Sequence, residues 1–390
     1  MAKLTNTQIN NIVNEVYVQM VGKSDIEPID ISKLSDIGRA TINDDRERFT
    51  NGLIGVLTRN WFTDTSYRSE YTDLFYEDYQ RFGAIIQAIT VEIPEAIENS
   101  AWKDYTSGVS TVGQYTVHLP KVDAVYYNKS TSWAIPITIS WEQWDTAFRN
   151  DGELSGFVDY VFMVVDNALV AHMEQLNETN RNNFISEKLI YANSEDAKGV
   201  HVVDLVGLYA SEKGLTTALT VEQAIVDREF LAFASARMGE YVTYFKRQTS
   251  LFNTAQKVRF TPTDRIVMQV LDKFEQNMRF IGYADTFHEE YIQLPTHQSV
   301  AWWQNGGDLS FNDVSSIHVS SPSGTTERSG IVGLLCDKWA IVHTIRSERV
   351  GSHNFDIENL THYEYQHRDS YINNLTMNAI VFVLNDFTPA

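Results

Sequence analysis

The sequence predicts an α+β fold: a body holding one long helix, a two-stranded excursion, and an α/β lobe inserted ahead of the closing strands. Three observations predict it. Residues 146–193 keep one apolar stripe at spacings of three and four, through Val158, Val161, Phe162, Val165, Leu169, Met173 and Leu176. Runs of period two flank a polar stretch over residues 95–113. Beyond residue 216, helical and strand patterns alternate.

Taken in order, the chain starts with a short amphipathic helix. Ile9, Ile12, Val13, Val16 and Met20 form its stripe. Residues 23–40 show no period and read as an extended arm, so the helix needs a surface to lie on. Residues 44–82 read as helical, rich in rings and acids (Trp61, Phe62, Tyr67, Tyr71, Phe75, Tyr76, Tyr79). Alternation then begins: Ile89, Val91, Ile93; Tyr115, Val117, Leu119; Ile135, Ile137, Ile139. Between the first two runs, Trp102, Lys103 and Tyr105 mark the tip of a long hairpin, and exposed rings at a tip imply a contact. After the long helix, residues 199–208 read as a strand. Thr220 and Gln223 make a capping box opening a helix to about Met238. Residues 258–260 read as a strand. Thr263 is expected to cap a helix with Ile266, Val267, Val270, Leu271 and Phe274 on its face. Residues 305–308 and 320–326 read as turns. Residues 330–336, 339–347, 362–368 and 375–384 read as strands.

Composition narrows the function. The 390 residues include 8 Trp, 19 Tyr and 20 Phe, which excludes global disorder. The longest apolar runs are six residues, such as Ala379–Leu384, against about 20 for a spanning helix, so no membrane segment is expected. The start reads as carrying no signal-peptide core, and a single cysteine, which cannot form an internal disulfide, suits the reducing interior of a cell. Net charge is −20, from 31 basic and 51 acidic side chains. Without a basic stripe, general nucleic-acid binding is not expected, because such affinity comes from Lys and Arg displacing counterions.

Catalytic patterns are missing. No Cys/His spacing suits zinc, and there is no nucleophile elbow or Walker loop. His288-Glu289-Glu290 on a strand would face alternate sides and reads as a solvated patch. Ser100-Ala-Trp-Lys103 matches a loose Ser-x-x-Lys pattern and reads as loop. Cys336 sits among apolar residues that raise a thiol pKa. No cofactor or metal is expected. Abundant acids and the Trp302-Trp303 pair leave a carbohydrate-active hydrolase open as an alternative. A phage connector or tail protein is another.

The order of elements resembles the HK97-type fold of tailed-phage major capsid proteins, closest to the phi29-like short-tailed phages. The segments that carry the resemblance are Ser140-Trp-Glu-Gln-Trp-Asp-Thr-Ala-Phe148, Gly333-Leu-Leu-Cys-Asp-Lys-Trp339 and Asn374-Leu-Thr-Met-Asn-Ala-Ile-Val-Phe-Val383. The resemblance implies an arm over 1–50, peripheral helices over 51–84 and an extended β-hairpin, the E-loop, over 85–141. It implies a peripheral domain with a spine helix over 142–215, an axial α/β domain over 216–330 and peripheral closing strands over 331–390. It further implies a non-enzymatic subunit, made in the bacterial cytoplasm, that assembles with itself as hexamers and pentamers into the virion shell. That shell encloses double-stranded DNA without strong binding, and assembly is expected to use the portal and either a separate scaffolding protein or none. Ile9, Ile12, Val13, Val16, Met20, Trp102, Lys103 and Tyr105 are then the expected assembly contacts. With the last strand close to residue 390, no immunoglobulin-like decoration is expected.

Overall fold

A computed structural model describes residues 76–79, 86–91, 119, 122–127, 130–140, 142, 151–283, 296–304, 306–355 and 360–384. The first elements are β1 (Tyr76–Tyr79), β2 (Ile86–Val91), β3 (Val122–Tyr127), β4 (Thr131–Ser140) and α1 (Asp151–Ala192). The lobe follows with β5 (Val202–Asp204), α2 (Leu205–Lys213), α3 (Val221–Ala224), α4 (Arg228–Phe245), β6 (Ile266–Leu271) and α5 (Asp272–Tyr283). Then come β7 (Gln298–Val300), α6 (Phe311–Val314), β8 (Ile317–Ser321) and β9 (Gly324–Arg328). The chain closes with β10 (Ile331–Asp337), β11 (Ile341–Phe355), β12 (Leu360–Asn373) and β13 (Ala379–Val383).

Helix α1 runs 42 residues, about 60 Å. Its only glycines are Gly152 and Gly156, in the first two turns, and it holds no proline. The helix changes character along its length. Val165 packs with Tyr365 beside Ile135, Ile137 and Val350 of a four-stranded sheet, ordered β1-β11-β12-β4. Further on, Phe184, Ile185 and Leu189 enter the main core beside a five-stranded sheet, ordered β5-β13-β10-β6-β7. This helix therefore spans both layers. Buried polar groups tie it down: Arg181 donates to the Trp303 carbonyl at 3.2 Å, and Ser186 Oγ donates to Thr326 Oγ1 at 2.8 Å. After α1, Gly199 adopts φ +99°, and a Cβ there would collide with the Leu251 carbonyl. That close approach lets Val200 N–H donate to Leu251 O at 2.8 Å.

Several sequence expectations change. Tyr76–Tyr79 is not helical; it pairs in parallel with Val342–Ile345. Residues 205–208 open α2, capped by the Asp204 carboxylate, rather than extending a strand. The Thr220 capping box exists, but its helix ends at Ala224, and Asp227 caps the separate helix α4. Residues 258–260 form no strand, only a bridge from Arg259 to Thr249. The expected helix from Thr263 is instead a 3-10 turn followed by strand β6. Its apolar run is flanked by β10 and β7 and buried from Met268 on, and periodicity cannot separate a buried strand from a buried helix. Residues 320–326 are more than a turn, since β8 and β9 pair through them. The closing strands do not stay together. β11 and β12 join the four-stranded sheet, while β10 and β13 form the centre of the five-stranded one. Thr131–Ser140, placed in the excursion by sequence, pairs with β12 over ten residues.

Candidate functional site

The surface that stands out is a two-stranded ribbon. β2 and β3 pair antiparallel from Ile86↔Tyr127 to Val91↔Val122. The strand expected over Tyr115–Leu119 lies outside the described residues except for Leu119, which is exposed, and the strand paired with β2 is Val122–Tyr127. Val122–Tyr127 was missed because Val122, Ala124, Val125, Tyr126 and Tyr127 make a mixed run with no clear alternation.

Strand geometry sorts the ribbon into two faces. The front carries Gln87, Ile89 and Val91 opposite Tyr126, Ala124 and Val122. Ile89 is 60%, Val91 58%, Val122 59% and Tyr126 62% exposed. Four large apolar side chains on one face of a short ribbon are an uncovered patch. The back carries Ala88, Thr90, Asp123, Val125 and Tyr127. Lys257 Nζ donates to Asp123 Oδ2 at 2.9 Å. That bond and the lysine charge hold the Asp123 carboxyl below the usual carboxylate range. Burial pushes the Tyr127 phenol up to about 12. The back face is thus tied to the protein's own body at Asp123, whereas Ile89, Val91, Val122 and Tyr126 on the front are exposed.

Other features are structural in character. Trp303 is buried, its Nε1 donating to the Ile331 carbonyl at 2.8 Å, while Trp302 faces outward, so the pair makes no joint sugar platform. Trp339 is exposed, with the Arg265 guanidinium 3.6 Å above its ring centre. Burial raises the Cys336 thiol to about 12 and lowers the Lys188 ammonium to about 7. A thiol so shifted is no nucleophile. Among the described residues, no group of three His, Cys, Asp or Glu side chains could hold a metal ion. No helix among them is long and apolar enough to cross a membrane. The predicted contacts Ile9, Ile12, Val13, Val16, Met20, Trp102, Lys103 and Tyr105 lie outside the described residues, as do His288-Glu289-Glu290 and Ser100–Lys103.

Comparison with known proteins gives the context. Two solved phage structures share the fold. One is a chain from the capsid of Staphylococcus phage Andhra, with TM-score 0.50 and 8% identity, covering 83% of this chain and 87% of that one. The other is a chain from the structure of the head fiber and inner core protein gp22 of native bacteriophage P68. It gives TM-score 0.53 and 11% identity, covering 81% of this chain and 85% of that one. No curated protein matches the chain. The family model described as Phi29-like phage major capsid protein matches residues 9–383, nearly the whole chain. The chain therefore belongs to the Phi29-like phage major capsid protein family.

Proposed function

We propose that this major capsid protein assembles as hexamers and pentamers into the closed icosahedral head of a tailed phage, around double-stranded DNA. The observation that carries the reading is the family match over residues 9–383. The bare ribbon front supports it: a two-stranded ribbon is marginal alone and is stabilised when a neighbour covers it. In this reading the ribbon and its excursion are the E-loop, and α1 is the spine helix. The four-stranded layer is the peripheral domain, and the lobe on the five-stranded sheet is the axial domain. The arm over 1–50 and the tip residues Trp102, Lys103 and Tyr105 supply further contacts between copies. The subunit performs no catalysis, is made in the host cytoplasm and ends in the virion. A separate scaffolding protein and the portal are its assembly partners. A net charge of −20 suits a wall that must not bind the packed genome. The hydrolase, connector and tail readings find no support in the family match.

Sedimentation of the purified chain, with and without a scaffolding protein, tests this. The expected result is material sedimenting as large closed particles. A stable small oligomer under every condition would contradict it.

A further inference from the structure

The ribbon is held by a built support rather than by a chance surface pair. Lys257, the donor to Asp123, has its backbone gripped from both sides by one buried side chain. Asn253 Oδ1 accepts from Lys257 N–H at 2.9 Å, and Asn253 Nδ2 donates to Lys257 O at 2.8 Å. Asn253 Nδ2 also reaches Asn378 Oδ1 at 3.3 Å, just ahead of β13. Two residues on, Arg259 bridges Thr249 through its backbone and donates to Met377 Sδ at 3.2 Å. Asp337 ends β10 and takes two bonds from Arg265, at 3.1 and 2.6 Å. The segment carrying Lys257 is therefore tied through Asn378 and Met377 to the chain entering β13 of the central sheet.

We propose that Lys257 is a positioning residue for assembly: by holding Asp123 it sets the angle at which the ribbon lies on the body. This rests on the shell reading above. A docking face carried on a ribbon passes the ribbon's orientation to the neighbour it touches. Small angular errors repeat at every contact, and a ring or shell closes only if the rotation between copies is right. A charge-assisted hydrogen bond suits the task because it fixes direction as well as distance. Asp123 is half-exposed, whereas Lys257 is largely covered.

The test uses the full chain as Lys257→Ala, Asp123→Asn, Lys257→Arg and the exchange Asp123→Lys with Lys257→Asp. Subunit melting temperature and particle diameters, by negative-stain microscopy, are both measured. The expected result is a melting temperature like wild type for all four. Lys257→Ala and Asp123→Asn should give mixed diameters, open sheets or tubes, with the main diameter class reduced several-fold. Lys257→Arg and the charge exchange should restore uniform particles. Uniform wild-type-sized particles from Lys257→Ala would overturn the positioning role alone. So would an assembly defect that comes with a lowered subunit melting temperature. A wild-type chain that forms no particles would overturn the shell reading, and this inference with it.

Discussion

Replacing Ile89, Val91 and Val122 together by Thr should weaken the assembled particle and leave the free subunit nearly untouched. Threonine keeps the branched shape that suits a strand, so the β2–β3 ladder is retained. Each residue is about three-fifths exposed in the free chain. Fully burying such a side chain contributes about 1.5–3 kcal/mol, so covering the exposed part contributes about 1–2 kcal/mol per residue. Exchanging a methyl (Val91, Val122) or an ethyl group (Ile89) for a hydroxyl removes roughly half of that. Three sites then cost about 1.5–3 kcal/mol at each subunit contact, a loss of about 10- to 150-fold in contact affinity at about 1.4 kcal/mol per tenfold. Exposed substitutions normally change subunit stability by no more than about 0.5 kcal/mol. The assay compares two guanidinium midpoints: particle dissociation by light scattering, and subunit unfolding by circular dichroism. The particle midpoint should fall well below wild type while the subunit midpoint holds. A fall in the subunit midpoint with unchanged particles would show that the ribbon front packs on its own chain, and would refute the reasoning.

Three further outcomes are expected. Replacing Ile12 and Val16 by Asp should spare the folded body and impair shell formation, because unpaired charges cannot enter an apolar docking surface; loss of the folded subunit by circular dichroism would place the arm in its own core. Purified subunits should not bind double-stranded DNA below micromolar at physiological salt, given the charge of −20; tight, salt-steep binding in a filter assay would contradict this. Lys188 is buried, donates to the Phe252 carbonyl at 3.3 Å, and keeps a folded pKa of about 7 against an ordinary 10.5. The unfolded chain takes that proton first, so stability is lost as pH falls from about 10.5 to 7 and is then flat for this group. His201, lowered to about 4 from 6.5, adds a second loss between those values. Lys188→Met should remove the upper slope and stabilise the subunit by roughly 2–4 kcal/mol at pH 7.5. An unchanged slope in urea titrations would show that Lys188 is hydrated.

The long helix was readable because its stripe persists far beyond the reach of chance; Val165 on that stripe packs on the four-stranded sheet, and Met173 is buried. Its last turns were not, since Arg181 and Lys188 look like solvent residues and are buried by long-range carbonyl partners. The closing strands were legible as strands, yet their division between two sheets depends on pairings such as Cys336↔Val267 and Tyr365↔Ile135, which no local pattern encodes. Tyr76–Tyr79 is a strand only because β11 offers an edge. The ribbon was visible as an excursion, but its support was not. Lys257 acquires its role from Asn253 and Asp123, the latter 134 positions away.

The central claim is that copies of this chain close into a shell. Cryo-electron microscopy of the chain, expressed alone and with a scaffolding protein, tests it most directly. The account predicts closed particles built of six- and five-fold clusters, with the Ile89 and Val122 face of each ribbon covered by a neighbouring copy. A monodisperse monomer, or a single isolated ring, under all scaffold and salt conditions would contradict it.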